Sequence, residues 1–119
     1  MTTVVIGGGP AGLISAYFRA ARGEQVFLIE KNEKLGKKLY ITGKGRCNVT
    51  NDCDETEFLD NVVTNPKFLM GAIRRFPPEK LMEFLGKKIP LKTERGNRVF
   101  PLSDKASDVT KCLESYAKE

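Results

Sequence analysis

The chain has 119 residues, of which 40% are hydrophobic and 29% charged, with a formal net charge of +5; this composition is typical of one globular domain and excludes a disordered segment. No apolar run approaches the roughly eighteen residues of a membrane span, and the first strand starts about three residues from Met1, too early for a signal or transit peptide, so we expect a cytoplasmic protein with no membrane partner. The absence of histidine removes the commonest general acid–base, and three cysteines without a C-x-x-C pair do not favour a metal site.

The first informative feature is a strand that runs directly into a glycine-rich turn and a helix. Residues 4–6 are β-branched and apolar, and Gly7-Gly8-Gly9-Pro10-Ala11-Gly12 follows them, before apolar positions at helical spacing. Gly7 permits a tight turn out of the strand, Gly9 lets the backbone approach a pyrophosphate, and Gly12 lets the helix lie close to the strand. This order predicts a βαβ unit whose helix N-terminus, with Pro10 and Ala11, faces the phosphates of a dinucleotide.

A second predicted strand, residues 25–29, ends on Glu30, and Gly23 is placed to end the preceding helix in a left-handed conformation. A carboxylate at the end of that strand can accept hydrogen bonds from an adenosine ribose and disfavours a 2′-phosphate, so NADP is a poor candidate. The alternative is a βαβ unit whose glycines serve only packing.

The excess positive charge lies in one segment, residues 31–46. It holds one acid, Glu33, and six basic residues: Lys31, Lys34, Lys37, Lys38, Lys44 and Arg46. The rest of the chain is therefore neutral, and cofactor phosphates explain the cluster economically, although a solvated basic loop is the alternative. Because few aromatic residues are interleaved with these basic residues, we expect no nucleic-acid partner.

The polar stretch at residues 35–51 is the second informative feature. Gly43 and Gly45 allow close backbone approach, Arg46 offers a planar multidentate donor, and Asn48 can both donate and accept hydrogen bonds, as can Thr50 and Asn51. Such a loop suits a flat polar heterocycle or a second face of a pyrophosphate; a surface loop rich in turn formers is the alternative. Cys47 is an isolated cysteine in a loop, and such thiols are more often inert than reactive.

The remaining pattern predicts helices and one hairpin. Residues 54–63 and 66–76 are expected to be helical, as is a segment that starts at Pro78, and residues 89–94 and 98–100 flank a turn at Arg95-Gly96-Asn97. Ser103 is expected to cap a last helix. Two sets of apolar positions are predicted to face the core: Phe68, Leu69, Ala72, Ile73 and Phe76 on one helix, and Ala106, Val109, Leu113, Tyr116 and Ala117 on the last.

The predicted fold class is α/β, a Rossmann-like domain that is incomplete. The helix after the hairpin would have to be a crossover to another parallel strand, yet no third parallel strand is predicted, and two parallel strands make a poor independent sheet. We therefore expect the N-terminal part of a larger protein, or missing strands supplied by an oligomer. The organisation would be residues 1–51 as βαβ and cofactor loops, 52–101 as helices and hairpin, and 102–119 as crossover helix.

Three motifs together resemble a known family, the prokaryotic FAD-binding flavoproteins often called NAD(FAD)-utilising dehydrogenases or aminoacetone-oxidase-like enzymes. These proteins carry G-G-G-x-A-G with a later acidic residue, then a string ending in G-x-G-R-C-N-x-T-N, and finally G-x-R-V-F-P-x-S-x-K-A-x-x-V. Here Gly7 to Gly12 with Glu30, residues 36–51 and residues 96–109 match them in order. Lys44 departs from the pattern, since the family often has glycine there.

The resemblance implies FAD, in a chain of which this would be the N-terminal portion. It implies a pyrophosphate at Gly9–Gly12, a ribose on Glu30, and Lys31 and Lys38 near the adenosine and phosphates. Thr42, Gly43, Gly45, Arg46, Cys47 and Asn48 would lie near the ribityl chain and the isoalloxazine ring.

The function that follows is the FAD-binding portion of a flavin-dependent oxidoreductase, with hydride transfer through flavin N5 and NAD(P)H as a possible electron donor. A small molecule would be the substrate, no catalytic residue is assigned, and the 119 residues alone are expected to be inactive. The alternatives are a different flavoprotein, such as a monooxygenase or a tRNA-modifying enzyme, and a non-catalytic dinucleotide-binding fragment.

Overall fold

The computed structural model describes residues 1–119, which form two compact units. The first comprises Met1–Cys47 and Asp104–Glu119, and the second Asn48–Ser103. The elements in chain order are β1 (Thr2–Ile6), α1 (Pro10–Ala20), β2 (Gln25–Ile29), a 3₁₀ segment (Leu39–Gly45), β3 (Thr50–Asn51), α2 (Glu55–Asp60), α3 (Pro66–Arg75), α4 (Pro78–Gly86), β4 (Leu91–Glu94), β5 (Arg98–Pro101) and α5 (Ala106–Ala117). No helix is long and apolar enough to cross a membrane.

The first unit is built on a parallel pair of strands. β1 and β2 pair from Thr2 opposite Gln25 to Ile6 opposite Ile29, which confirms the predicted βαβ unit without a third parallel strand. α1 packs against both strands and against α5. The core between the two helices includes Leu13, Ala16, Val109, Leu113 and Tyr116, all buried.

The other face of this sheet is open. Val4, Ile6, Phe27 and Ile29 alternate with more buried residues along the strands, and each is more than half exposed, Ile6 at 85%. Side chains of parallel strands are usually covered on both faces, because crossovers place helices on each side. This pair of strands is therefore covered on only one side within the described chain.

The second unit is an antiparallel sheet with three helices. The strand order is β3-β5-β4, and Arg95–Asn97 forms the turn of the β4–β5 hairpin, as predicted. Phe84, Leu85, Val99 and Phe100 are buried. The short strand β3 was not predicted, because two residues carry no measurable alternation.

Two expectations about the helices are wrong. Phe68 is 86% exposed, and no residue of α3 is buried. Leu69 and Ile73 are half-buried and share one face of the helix, since positions four apart do so, whereas Phe68 and Ala72 share an exposed face. Phe76 is half-buried beyond the end of the helix at Arg75. The apolar pattern of α3 is therefore wider than the face that packs.

The N-cap residue of the last helix is Lys105 rather than Ser103. α5 begins at Ala106, and the Lys105 side chain makes no capping hydrogen bond. Asp104 adopts a left-handed conformation (φ 59°) directly before it, so the chain turns once more between Ser103 and the helix. Gly23 is left-handed as expected (φ 84°), but it lies two residues beyond Ala21, the C-cap residue of α1.

Candidate dinucleotide site

The glycine-rich turn between β1 and α1 has the geometry that its sequence predicts. Gly7 has a φ of 103°, and its N–H donates to Ile29 O at 2.7 Å. A Cβ at Gly12 would collide with the carbonyl oxygen of Gly7. Only glycine lets the strand, the turn and the first helical turn approach this closely.

The N-terminus of α1 is open at the surface. Gly9 is the N-cap residue and Pro10 begins the helix, so the first N–H that bonds within it is Leu13, to Gly9 O at 2.9 Å. The N–H groups of the first turn have no intrahelical acceptor and carry the positive end of the helix dipole. A Cβ at Gly9 would meet nothing within 4 Å, so this approach is clear for an anion.

Glu30 is fixed beside the same turn. Its Oε1 accepts a hydrogen bond from the Gly8 N–H at 2.9 Å, and its Oε2 accepts one from the Asn32 N–H at 2.6 Å. The bond from Gly8, and next the one from Asn32, hold the pKa of the Glu30 carboxyl below its ordinary value. The carboxylate is therefore ionised and oriented, and its remaining lone pairs can accept hydrogen bonds from hydroxyl groups.

The absence of a side chain at Gly8 allows Glu30 to lie against the turn. The sequence analysis assigns Gly8 no role. A Cβ on Gly8 would collide with Leu35 Cδ2 and would lie 3.3 Å from both Cβ and Cγ of Glu30. Gly8 is thus constrained by its neighbours, whereas a Cβ at the motif position Gly9 would meet nothing within 4 Å. The Gly8 N–H also donates a hydrogen bond to the Glu30 carboxylate. Motif rules based on the spacing of three glycines do not include this contact.

The N-terminus of α1 at Gly9 and Pro10 and the Glu30 side chain line one groove of about 450 Å³ within the first unit. It brings together five residues that the sequence predicted: Gly9, Pro10, Glu30, Lys31 and Lys38. Asn32, Lys37 and Ile41 complete the wall and were not predicted as site residues. Lys37 was part of the recognised basic run, whereas nothing in the sequence marked Ile41, which is 76% exposed. An anionic ligand here meets three ammonium groups and one helix N-terminus.

The loop from Thr42 to Cys47 does not line this groove. Its backbone is left-handed at Gly43, Lys44, Gly45 and Cys47, with φ of 55°, 56°, 86° and 62°. The Thr42 hydroxyl donates to Leu39 O at 2.7 Å, and the Cys47 N–H donates to Thr42 O at 2.9 Å. The loop is thus closed on itself by its own hydrogen bonds.

Arg46 is held by a residue 58 positions away. Its Nε and Nη2 both lie 2.8 Å from Oδ1 of Asp104, the left-handed residue before α5. Sequence reasoning missed Asp104, because nothing local to either residue indicates the pair. The Cys47 side chain is 1% exposed, and burial raises the pKa of its thiol, so this cysteine is an un-ionised thiol rather than a nucleophile.

Asn48 belongs to the second unit. Its carboxamide nitrogen lies 2.9 Å from Thr50 O and 3.2 Å from Val99 O, and it donates to both in the orientation that satisfies the amide. The side chain therefore fixes β3 alongside β5, and the carboxamide oxygen is the group left for other contacts.

Comparisons with known proteins agree with this geometry. A family model described as the HI0933-like protein Rossmann domain matches residues 1–119. The 3-dehydro-bile acid delta(4,6)-reductase of Clostridium scindens is 34% identical over 113 residues, 92% of this chain and 27% of that protein. The ribosomal RNA dihydrouridine synthase of Escherichia coli is 33% identical over 85 residues, 71% of this chain and 20% of that protein.

A shorter similarity covers about a third of the chain. The NADH oxidase of Thermoanaerobacter brockii is 55% identical over 38 residues, 32% of this chain and 6% of that protein. The chain spans about a quarter of the length of the reductase and a fifth of the synthase. Because the family model covers the whole chain, the resemblance drawn from the motifs is confirmed: the chain belongs to the HI0933-like Rossmann-domain family.

Proposed function

We propose that the chain is the FAD-binding portion of a flavin-dependent oxidoreductase. The observation that carries the proposal is the groove in which the open N-terminus of α1, the oriented Glu30 carboxylate and three lysines meet. The helix N-terminus and the lysines suit a diphosphate, because both attract negative charge. The Glu30 carboxylate suits a ribose diol, because it accepts hydrogen bonds from hydroxyl groups. The relatives support it further, since their names denote a reductase, a dihydrouridine synthase and an NADH oxidase.

The first unit would hold the adenosine diphosphate half of FAD. The N–H groups of Gly9, Ala11 and Gly12 would donate to the pyrophosphate, and Lys31 and Lys38 would neutralise its charge. Glu30 would accept from the ribose hydroxyls, and its ionised state would repel a 2′-phosphate. Lys37, Asn32 and Ile41 extend the same wall and would contact the nucleoside.

The isoalloxazine half is assigned to the second glycine-rich loop. Gly43 and Gly45 would allow the ring system to approach the backbone, and Thr42, Cys47 and Asn48 would border it. Arg46, already paired with Asp104, would orient this loop rather than meet the ring with a free guanidinium. When bound, FAD supplies hydride transfer at N5 and reoxidation by a nicotinamide or by oxygen.

Catalysis would involve more polypeptide than these 119 residues. The chain covers 27% of the reductase, and one face of its parallel strands is open. We propose that further strands of the same polypeptide cover this face, that a small molecule is the substrate, and that neither nucleic acid nor membrane is a partner.

The test is FAD binding by the purified chain. We expect flavin absorption bands near about 375 and 450 nm, either as purified or after adding FAD. Lys38→Ala should weaken FAD binding by roughly three- to tenfold, whereas Lys67→Ala, an exposed lysine of α3 in the second unit, should change it by less than about twofold. A colourless chain that does not bind added FAD would contradict the proposal. FAD binding without NAD(P)H oxidation is the result expected of these 119 residues, because catalysis would involve more polypeptide.

A further inference from the structure

A second cavity lies entirely within the second unit, where β3 meets the three helices. Its volume is about 290 Å³, roughly the space of ten water molecules. Ligand pockets begin at about this size. It is lined by Val49, Thr50, Asn51, Phe58, Ile73, Phe76, Pro77, Pro78 and Leu81.

The wall of this cavity carries no charged side chain. Two phenylalanine rings and the side chains of Ile73 and Leu81 make most of it, together with Pro77 and Pro78. A charged ligand would lose part of its hydration there without gaining a counter-charge, which is unfavourable. A neutral ring system would instead gain contact with every apolar wall.

The polar atoms of the wall come from β3. The side-chain donors of this wall are the Thr50 hydroxyl and the Asn51 carboxamide, one of whose two N–H groups donates to Gly96 O at 2.9 Å. A hydroxyl donor suits a carbonyl oxygen at one end of the ligand. The position of β3 is itself set by the Asn48 carboxamide, which donates to Thr50 O and Val99 O. Asn48, two residues before Thr50, therefore holds the strand that carries the Thr50 hydroxyl.

The cavity is open to solvent and its walls are stiff. Phe58, Ile73, Phe76 and Leu81 are half-buried rather than buried, so apolar surface is left for a ligand to cover. The ring of Phe76 packs edge-to-face on that of the buried Phe84, with centroids 6.4 Å apart, and two consecutive prolines fix the backbone beside it.

We propose that this cavity is a binding site for a neutral, flat ring compound of about ten non-hydrogen atoms that carries one carbonyl group. The ketone would lie with its oxygen toward Thr50 and its rings between Phe58, Ile73 and Leu81. The site is independent of the dinucleotide groove, since no residue lines both.

The probe is 1-indanone, a flat bicyclic ketone, added to the ¹⁵N-labelled chain while amide shifts are recorded. We expect saturable shifts at Thr50, Asn51 and Leu81, with a dissociation constant on the order of 1 mM. Indane lacks the carbonyl and should bind about three- to tenfold more weakly. 1-Indanecarboxylate carries a charge and should bind at least about tenfold more weakly.

Variants locate the site. Ile73→Trp fills the cavity and should weaken 1-indanone binding at least about tenfold, and Leu81→Trp should do the same from α4. Ala72→Trp makes the same kind of change on the exposed side of α3 and should alter binding by less than about twofold. Thr50→Val should remove the preference for 1-indanone over indane.

Three outcomes would overturn the proposal: no saturable shift up to the solubility limit, binding that survives in a folded Ile73→Trp or Leu81→Trp chain, or 1-indanecarboxylate binding as strongly as the ketone. The comparison of the three probes uses the unaltered chain, so it decides the matter even where a tryptophan variant does not fold. FAD binding that fails while 1-indanone binds would contradict the proposed function alone.

Discussion

The two glycine-rich segments of this chain use glycine for different purposes. In the first, Gly7 to Gly12, the missing side chains let backbone and carboxylate approach one another, and the polar groups that result face an open groove. In the second, Gly43 to Cys47, left-handed backbone folds the loop onto itself, and its side chains bond to the protein. We therefore expect changes in the first segment to alter binding of the adenosine diphosphate half of FAD, and changes in the second to alter the stability of the loop that would border the isoalloxazine half.

The largest effect is expected at Gly12. Gly12→Ala places a Cβ against the carbonyl oxygen of Gly7, so either the turn or the helix must move. The free energy of unfolding should fall by about 2–4 kcal/mol, and FAD binding should be lost at the concentrations that saturate the unaltered chain. Denaturant titration and absorption spectroscopy measure the two quantities.

Gly71→Ala is the matched control for this change. A Cβ there would meet nothing within 4 Å, and Gly71 lies inside α3. The substitution should raise the free energy of unfolding by about 0.5–1 kcal/mol. If both alanine variants behave alike, the close approach of Gly12 to Gly7 is not what the motif requires.

Glu30→Gln tests whether the charge in the groove matters. The variant should bind FAD about tenfold more weakly, because an amide accepts hydrogen bonds from hydroxyls and from the Gly8 N–H less well than a carboxylate does. Glu33→Gln removes the same charge from the same segment, outside the groove, and should change binding by less than about twofold. Equal losses of FAD affinity in the two variants would show that Glu30 acts only through the net charge of the segment.

Glu30→Gln should also change how the stability of the chain depends on pH. The pKa of Glu30 is lower in the folded chain than in the unfolded one, so its contribution to stability is present above the unfolded pKa and is lost as pH falls through the folded pKa. The unaltered chain should therefore lose more stability than Glu30→Gln when the urea midpoint is measured at pH 7 and again below about pH 4. Parallel losses in both chains would mean that the hydrogen bonds from Gly8 and Asn32 do not stabilise the ionised form.

A smaller effect is expected at the pair of Arg46 and Asp104. Their side chains are 34% and 42% exposed, so solvent screens the ion pair and its coupling should be about 0.5–1 kcal/mol. A double-mutant cycle of Arg46→Ala and Asp104→Asn, followed by denaturant titration, measures it. Asparagine tolerates the left-handed backbone of position 104. A coupling near zero would show that the pair does not hold the loop.

Lys44 is expected to give the smallest change. Its φ of 56° disfavours any side chain, so Lys44→Gly should raise the free energy of unfolding by about 0.5 kcal/mol, the strain relieved being partly offset by backbone entropy. Lys38→Gly, at a right-handed position (φ −71°), should lower it by about 0.5–1 kcal/mol. If both variants lower stability equally, strain at position 44 is not a property of the loop.

How far the sequence predicts this molecule depends on the separation of the interacting residues. The turn at Gly7, the close approach at Gly12 and the place of Glu30 follow from residues within one βαβ unit, and local spacing encodes them. The link between Arg46 and Asp104 joins residues 58 apart, and the exposure of Phe68 depends on which neighbours α3 meets. A local sequence pattern predicts neither the ion pair nor the exposure of Phe68. The role of Gly8 was missed for another reason, because the clash that it avoids involves Glu30 and Leu35, two side chains of the segment that follows β2.

The central claim is that the groove at the N-terminus of α1 binds the adenosine diphosphate half of a dinucleotide. It is tested most directly by titrating the ¹⁵N-labelled chain with ADP and with 2′-phospho-ADP-ribose and following the backbone amides. We predict saturable shifts for ADP at Gly9, Ala11, Gly12 and Lys31, and binding of the 2′-phosphorylated compound at least about tenfold weaker because of Glu30. Shifts confined to other residues, or equal binding of the two compounds, would contradict the account.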